Sequence, residues 1–296
     1  PAPSGVRVPL GAFGAVSAMA LGTVGVGSVR RRRDDDPLVV VVHGNGGAPT
    51  DFDDLLGAMG IDDDRVVAFD WTTAGAGGSS TAASRIAPTA VASRELELLL
   101  RSLSETHSNI YTIHHSKGGA VGVDLIGRLD AGVREPIDGY RGAALLDPAI
   151  SRGPLGWIQR IGRIAPFIPD NGGFDPMVCG VDGCIDLRSD LGRASGVEVI
   201  AIRNPDAVLT NFPDSPDGLR VYDLVDDGGS SAYASMLVPP LAWLRVFEAH
   251  GSVLHSPSVA ECIRAEIDAV RSCVWTGSWT PRIGWRGSGG SRARVL

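Results

Sequence analysis

One serine in this chain stands where a strand pattern gives way to a helix pattern. Ile110 to Ile113 is a short run of β-branched and aromatic residues, as in a buried strand. From Val121 through Leu125 to Leu129 the apolar spacing turns helical. Between them lie His114-His115-Ser116-Lys117-Gly118-Gly119. A strand, a tight turn and a helix around one serine form the setting of a nucleophile elbow, with consensus Gly-x-Ser-x-Gly. Such a turn strains the serine backbone and crowds its neighbours, so small residues on both sides relieve clashes. Here His114 takes the first small position, while Gly118 and Gly119 stand where the helix must pass the strand.

An attacking serine needs a base, an acid that holds the base's tautomer, and donors for the oxyanion. Around an elbow of this kind the chain order is serine, acid, histidine. His250 lies between the last strand pattern and the last helix, within His250-Gly251-Ser252-Val253-Leu254-His255-Ser256-Pro257. His255 is its rival, and the position relative to Pro257 favours His250. For the acid, Asp206 follows the strand pattern 197–202 by four residues; Asp147, Asp223 and Asp226 also stand near strand ends and compete with it. His43-Gly44-Asn45-Gly46-Gly47 is a glycine-rich turn whose backbone N–H groups can face an anion. His43 reads as a structural histidine bracing that turn and His115 as packing beneath the elbow. Lys117 reads as facing solvent or guiding an anionic group, with no catalytic part for its side chain.

The elements that must position these residues alternate. Leu38–Val42 is a continuous β-branched run, as in a strand buried on both faces of a parallel sheet. A short helix over 51–59, a strand over 65–71 and a helix over 88–104 lead to the elbow strand. Strands are expected over 142–147, 197–202, 219–225 and 243–247, an amphipathic segment over 154–167, and a final helix from 258 to about 270. This pattern predicts an α/β protein with a mostly parallel central sheet, helices on both faces, and ligands at the carboxyl ends of the strands.

At 296 residues the chain can bury one substantial core, and 44% hydrophobic with 21% charged residues is ordinary for a globular domain. A net charge of −7 argues against nucleic acid as the principal partner. The division expected is an N-terminal arm over 1–36, a domain over 37–270 with cap elements over 153–190 and 226–242, and a tail over 271–296. The apolar stretch 8–29 precedes Arg30–Arg33, the reverse of a signal peptide, and is rich in glycine for a membrane span. In the tail, Trp275, Trp279 and Trp285 interleave with arginines and read as a strap packed on the domain; contact with nucleic acid or a lipid surface is the rival reading. Three adjacent carboxylates at Asp34–Asp36 or Asp62–Asp64 do not make a calcium cage, so no metal is expected.

Four cysteines fall as two local pairs, Cys179 with Cys184 and Cys262 with Cys273, neither at zinc or redox spacing. Two disulfides closing short loops would suit an oxidising, extracytoplasmic or secreted setting. In one unbroken helix Cys262 and Cys273 would lie about 16 Å apart, so their bridge requires the helix to end near Val270.

Taken together, the motifs resemble the α/β-hydrolase superfamily, and within it the small bacterial lipases and esterases. The resemblance rests on the His43–Gly47 turn, the His114–Gly118 elbow, Asp206-Ala207-Val208 and the segment His250 to Val259, over about residues 37–270. It implies Ser116 as nucleophile, His250 as base, Asp206 as acid, and the backbone N–H groups of Asn45 and Lys117 as oxyanion donors. It implies a carboxylic ester substrate, small or lipid in nature, and no cofactor. Thioesters, amides or phospholipids, the last for an effector released from a longer precursor, would suit the same residues. A catalytically inactive scaffold used for binding is the reading of another class, motivated by His114.

Overall fold

In the computed structural model the described residues are 37–70, 89–150, 190–204, 207, 220–226, 249–268 and 283–288. The chain divides into two compact units, Pro1–Asp34 and Asp35–Leu296, and every described residue lies in the second. The expected arm, the strand expected over 243–247 and nearly all of both cap segments lie outside the described residues.

Among the described residues seven strands form one sheet: β1 (Leu38–Val42), β2 (Val66–Phe69), β3 (Ile110–His115), β4 (Tyr140–Leu146), β5 (Glu198–Arg203), β6 (Arg220–Asp226) and β7 (Ile283–Ser288). Their order is β2-β1-β3-β4-β5-β6-β7. The first six pair in parallel, and β7 closes the edge antiparallel to β6. The mostly parallel sheet is the one expected; the strand within the tail is not, because 283–288 carries no alternation that marks a strand.

Residues along each strand alternate between two cores. Val40 and Val42 of β1 join Ala143 and Leu145 of β4 beneath α2 (Thr89–Ser104) and α3 (Lys117–Asp130). Val39 and Val41 join Ile113, Ile200 and Ile202 beneath α1 (Asp53–Met59) and α4 (Pro257–Ile267). Both faces are thus covered, which is why these strands read as unbroken apolar runs. α4 starts at Ser256, whose hydroxyl accepts the Val259 N–H, with Pro257 in its first turn. It ends at Ile267, ahead of Val270, as a bridge from Cys262 to Cys273 would require. Cys262 is buried and disulfide-bonded. The other three cysteines lie outside the described residues, so the pairing stays an expectation.

An ionic cluster joins α2 to α3 and the turn that follows it. Glu97, only 2% exposed, accepts from Arg94 at 2.6 Å and Arg101 at 2.9 Å, with Arg134 at 3.2 Å. Arg134 also donates to Ser93 Oγ at 2.9 Å, and Asp124 takes Arg128 at 2.9 Å. Burial pushes the Glu97 carboxyl up, but the hydrogen bonds from Arg94 and Arg101 and the charge of Arg134 outweigh it and hold the group below its usual value. Arg94 and Arg101 are partly exposed and can turn to water when Glu97 is removed, and Arg134 keeps Asp124 nearby, so the loss is that of hydrogen bonds to a charged group, about 1.5–3 kcal/mol. Glu97→Ala should therefore lower the urea midpoint by an amount equivalent to about 2 kcal/mol, and an unchanged midpoint would contradict this account.

Candidate active site

The elbow is real, and it is strained. Ser116 caps α3 at φ 55°, ψ −120°, a conformation that L-residues rarely adopt. Its N–H donates to Leu146 O at 3.0 Å, and its carbonyl accepts from Gly119 N–H and Ala149 N–H, each at 2.9 Å. The serine is thereby stitched to the end of β4 as well as to its own helix. The close approach also explains the glycines. A Cβ on Gly118 would run into the carbonyls of Val42 and His43, and one on Gly119 into Pro148.

His114, where small residues are usual, is fully buried and satisfied. Burial lowers it to about 4, so the ring is neutral at ordinary pH. Nδ1 lies 3.1 Å from Gly118 O and Nε2 2.7 Å from Thr112 Oγ1, which lies 2.9 Å from the Tyr140 hydroxyl. One proton arrangement fits: Nδ1–H donates to the carbonyl, Thr112 donates to Nε2, and Tyr140 donates to Thr112. Room for the ring comes from Gly122, where a Cβ would stand 2.9 Å from the imidazole.

Among the described residues the carboxylate that meets His250 is Asp147, one of the rivals of Asp206. Its Oδ2 lies 3.2 Å from His250 Nδ1, and Asp206 itself lies outside the described residues. Asp147 follows β4 directly and has a φ of 41°. Among the described residues it and Ser116 are the only non-glycine residues with positive φ. It is wholly buried. Its N–H donates to Ile202 O at 2.7 Å, and its Oδ1 accepts the Asn204 N–H at 2.8 Å. Asn204 reaches on through Nδ2 to Ala249 O at 3.1 Å and Ser252 Oγ at 2.9 Å, so it also grips the segment bearing His250. That segment, 249–255, is helical rather than an open loop.

A carboxylate only accepts, so Nδ1 of His250 carries the proton and Nε2 presents a lone pair. Burial lowers this imidazole to about 4 and keeps it in that basic form at neutral pH. The rival His255 sits on the surface, paired with Asp54 at 2.8 Å.

The glycine-rich turn lies against the nucleophile. A Cβ on Gly44 would stand 2.9 Å from Ser116 Cβ and 3.4 Å from Oγ, so the 43–47 backbone borders the hydroxyl. His43 is buried, with Nδ1 2.9 Å from Gly44 O, and braces the turn as expected. Lys117, expected to face solvent or an anionic group, is wholly buried, and burial pushes its amine down to about 7. The spacing that places it in the first turn of a helix does not reveal how deeply the elbow is covered. Among the described residues no cluster of histidine, cysteine and carboxylate side chains could hold a metal ion.

The architecture is the α/β-hydrolase fold: a mostly parallel sheet covered on both faces, with a serine on a strand–helix elbow at the strands' carboxyl ends. No protein-family profile matches the chain, and no curated protein sequence matches it. Solved structures that align with it include the phospholipase PlaB from Legionella pneumophila, 16% identical over 57% of this chain and 39% of that one, with a TM-score of 0.39. The chain thus spans well under half the length of that protein. A lipase-esterase related protein from Clostridium acetobutylicum ATCC 824 is 16% identical over 59% of this chain and 77% of its own, at a TM-score of 0.40. A structure from work on the metagenome-derived lipolytic enzymes LipS and LipT is 13% identical over 71% and 94%, at 0.42.

Three buried imidazoles make the fold acid-sensitive in a defined window. Burial first of all lowers His114 to about 4, His115 to about 3 and His250 to about 4, from 6.5. The unfolded chain therefore takes up these protons before the folded one does, and stability rises with pH between about 4 and 6.5. Urea midpoints measured across that window should climb with pH, and His114→Gln should make the climb shallower. A midpoint constant over the window would contradict the burial of these rings.

Proposed function

We propose that the protein is a serine hydrolase of carboxylic esters, with Ser116 as nucleophile, His250 as base and Asp147, rather than Asp206, as the orienting acid. The observation that carries this reading is the hydrogen bond between the buried Asp147 carboxylate and the partly buried His250, made from a residue whose chain neighbour Leu146 holds the Ser116 N–H. Ser116 Oγ attacks the ester carbonyl carbon while its proton passes to His250 Nε2. The carbonyl oxygen, now an anion, is held by the backbone N–H groups of Asn45 and Lys117, each worth about 2.7–4 kcal/mol in such sites. Collapse expels the alcohol, which takes the proton from His250 and leaves an acyl-serine. Water then adds to the acyl carbon and gives a proton to His250. The acid departs and Ser116 recovers its proton.

The helix N-terminus at Lys117 adds its dipole to the stabilisation of that oxyanion. The likeness of the His43–Gly47 turn, the His114–Gly118 elbow and the segment His250 to Val259 to lipases and esterases supports a lipid or acyl-glycerol ester as substrate. A panel of esters of increasing chain length, set against thioesters and phospholipids, tests that choice.

The reaction itself is tested with a fluorophosphonate probe, which bonds only to an activated serine. Intact mass and peptide mapping should find one adduct, on Ser116, absent in Ser116→Ala. Asp147→Asn should slow labelling by about 10⁴-fold, the usual cost of losing the orienting carboxylate, whereas Asp206→Asn should label at close to the parent rate. Absence of labelling in folded protein would favour the binding scaffold, and the reverse ranking of the two variants would return the acid to Asp206.

A further inference from the structure

A second histidine touches the base from below. His115, the last residue of β3 and the neighbour of Ser116, stacks its ring on His250, with centroids 4.6 Å apart and planes 30° apart. Its Nε2 lies 3.1 Å from the His250 carbonyl oxygen, so Nε2–H donates there. One side chain therefore holds both the ring and the main chain of a residue 135 positions away. The same ring fills the space under the glycine-rich turn, where a Cβ on Gly44 would stand 3.2 Å from its Nδ1. In the sheet His115 is paired with Leu146, the residue before Asp147. It thus stands among the elbow, the base, the acid's strand and the 43–47 turn.

We propose that His115 is a positioning residue for His250: its ring, by stacking, holds the base's imidazole in line with Asp147 and keeps water from beneath it. This inference rests on the reading of His250 as the base. The stack restrains rotation of the His250 ring about its side-chain bonds, which the single hydrogen bond at Nδ1 does not fix by itself. It also removes one face of the imidazole from water, and a dry imidazole is a poorer proton acceptor from solvent.

The charges around the pair support a neutral partner. His115 is held to about 3, first by burial and then by the charge that His250 would carry; Asp51 pulls it up and His255 pushes it down. Among the described residues Asp147 is the carboxylate facing His250. Only one of two stacked imidazoles readily accepts a proton, and Asp147 assigns it to His250.

The test separates ring from hydrogen bond. His115→Phe keeps a stacked ring without the N–H, and His115→Gln keeps a donor without the ring. The rate of fluorophosphonate labelling at Ser116 is followed against pH, with thermal unfolding measured for each variant. Labelling needs His250 neutral, so its acid limb reports the base. In His115→Gln that limb should move up toward the ordinary histidine value of about 6.5, and the plateau rate should fall about tenfold or more. In His115→Phe the acid limb should stay with that of the parent protein.

A limb unmoved in His115→Gln, or moved equally in both variants, would overturn the proposal. A loss that follows thermal stability in both, with no change of limb, would reduce His115 to a packing residue and overturn it as well. If the parent protein does not label at all, the failure lies with the hydrolase reading and not with His115.

Discussion

The site depends on one backbone constraint, the turn that holds Ser116 at φ 55°. A non-glycine residue in such a region costs about 1–3 kcal/mol and persists only where the surroundings over-determine it. Here they do so from several sides. The Ser116 N–H is tied to β4, its carbonyl binds two N–H groups, and the glycines at 44, 118 and 119 let three backbones meet without Cβ atoms between them. Release any of these and the hydroxyl leaves the border of the 43–47 turn.

The same stitching sets the partner groups. Because β4 lies beside β3, the residue after Leu146 emerges next to the elbow, and that residue is Asp147. Because β5 lies beside β4, Ile202 and Asn204 close over Asp147 from the far side and extend to the His250 segment. Sheet order thus converts three strands, distant in sequence, into one row of groups at the carboxyl edge. His114 fits this picture as well. A ring replaces the small residue, the space comes from Gly122, and a chain of neutral hydrogen bonds through Thr112 and Tyr140 satisfies both its nitrogens.

Much of this was legible in the chain and some was not, for physical reasons. The strand-to-helix change around Ser116, the buried runs Leu38–Val42 and 142–147, and His250 ahead of the last helix follow from periodicity and chain order, which are local properties. The contact between Asp147 and His250 was less accessible. Four aspartates stand near strand ends, and chain order alone cannot say which strand lies beside the elbow. A cue existed in Asp147-Pro148, since aspartate tolerates positive φ and proline keeps the preceding residue out of the right-handed helical region. Lys117 misled because a charged residue in the first turn of a helix reads as exposed, whereas here the residue is covered. β7 went unread because its Gly, Trp and Arg composition lacks a two-residue period, and pairing with β6 supplies the order instead.

The central claim, that Asp147 fixes the protonated nitrogen of His250, is tested most directly by proton NMR of protein carrying ¹⁵N-labelled histidine. The account predicts a low-field resonance from His250 Nδ1–H that disappears in His250→Ala and in Asp147→Asn and persists in Asp206→Asn. A resonance that survives Asp147→Asn but is lost in Asp206→Asn would contradict it.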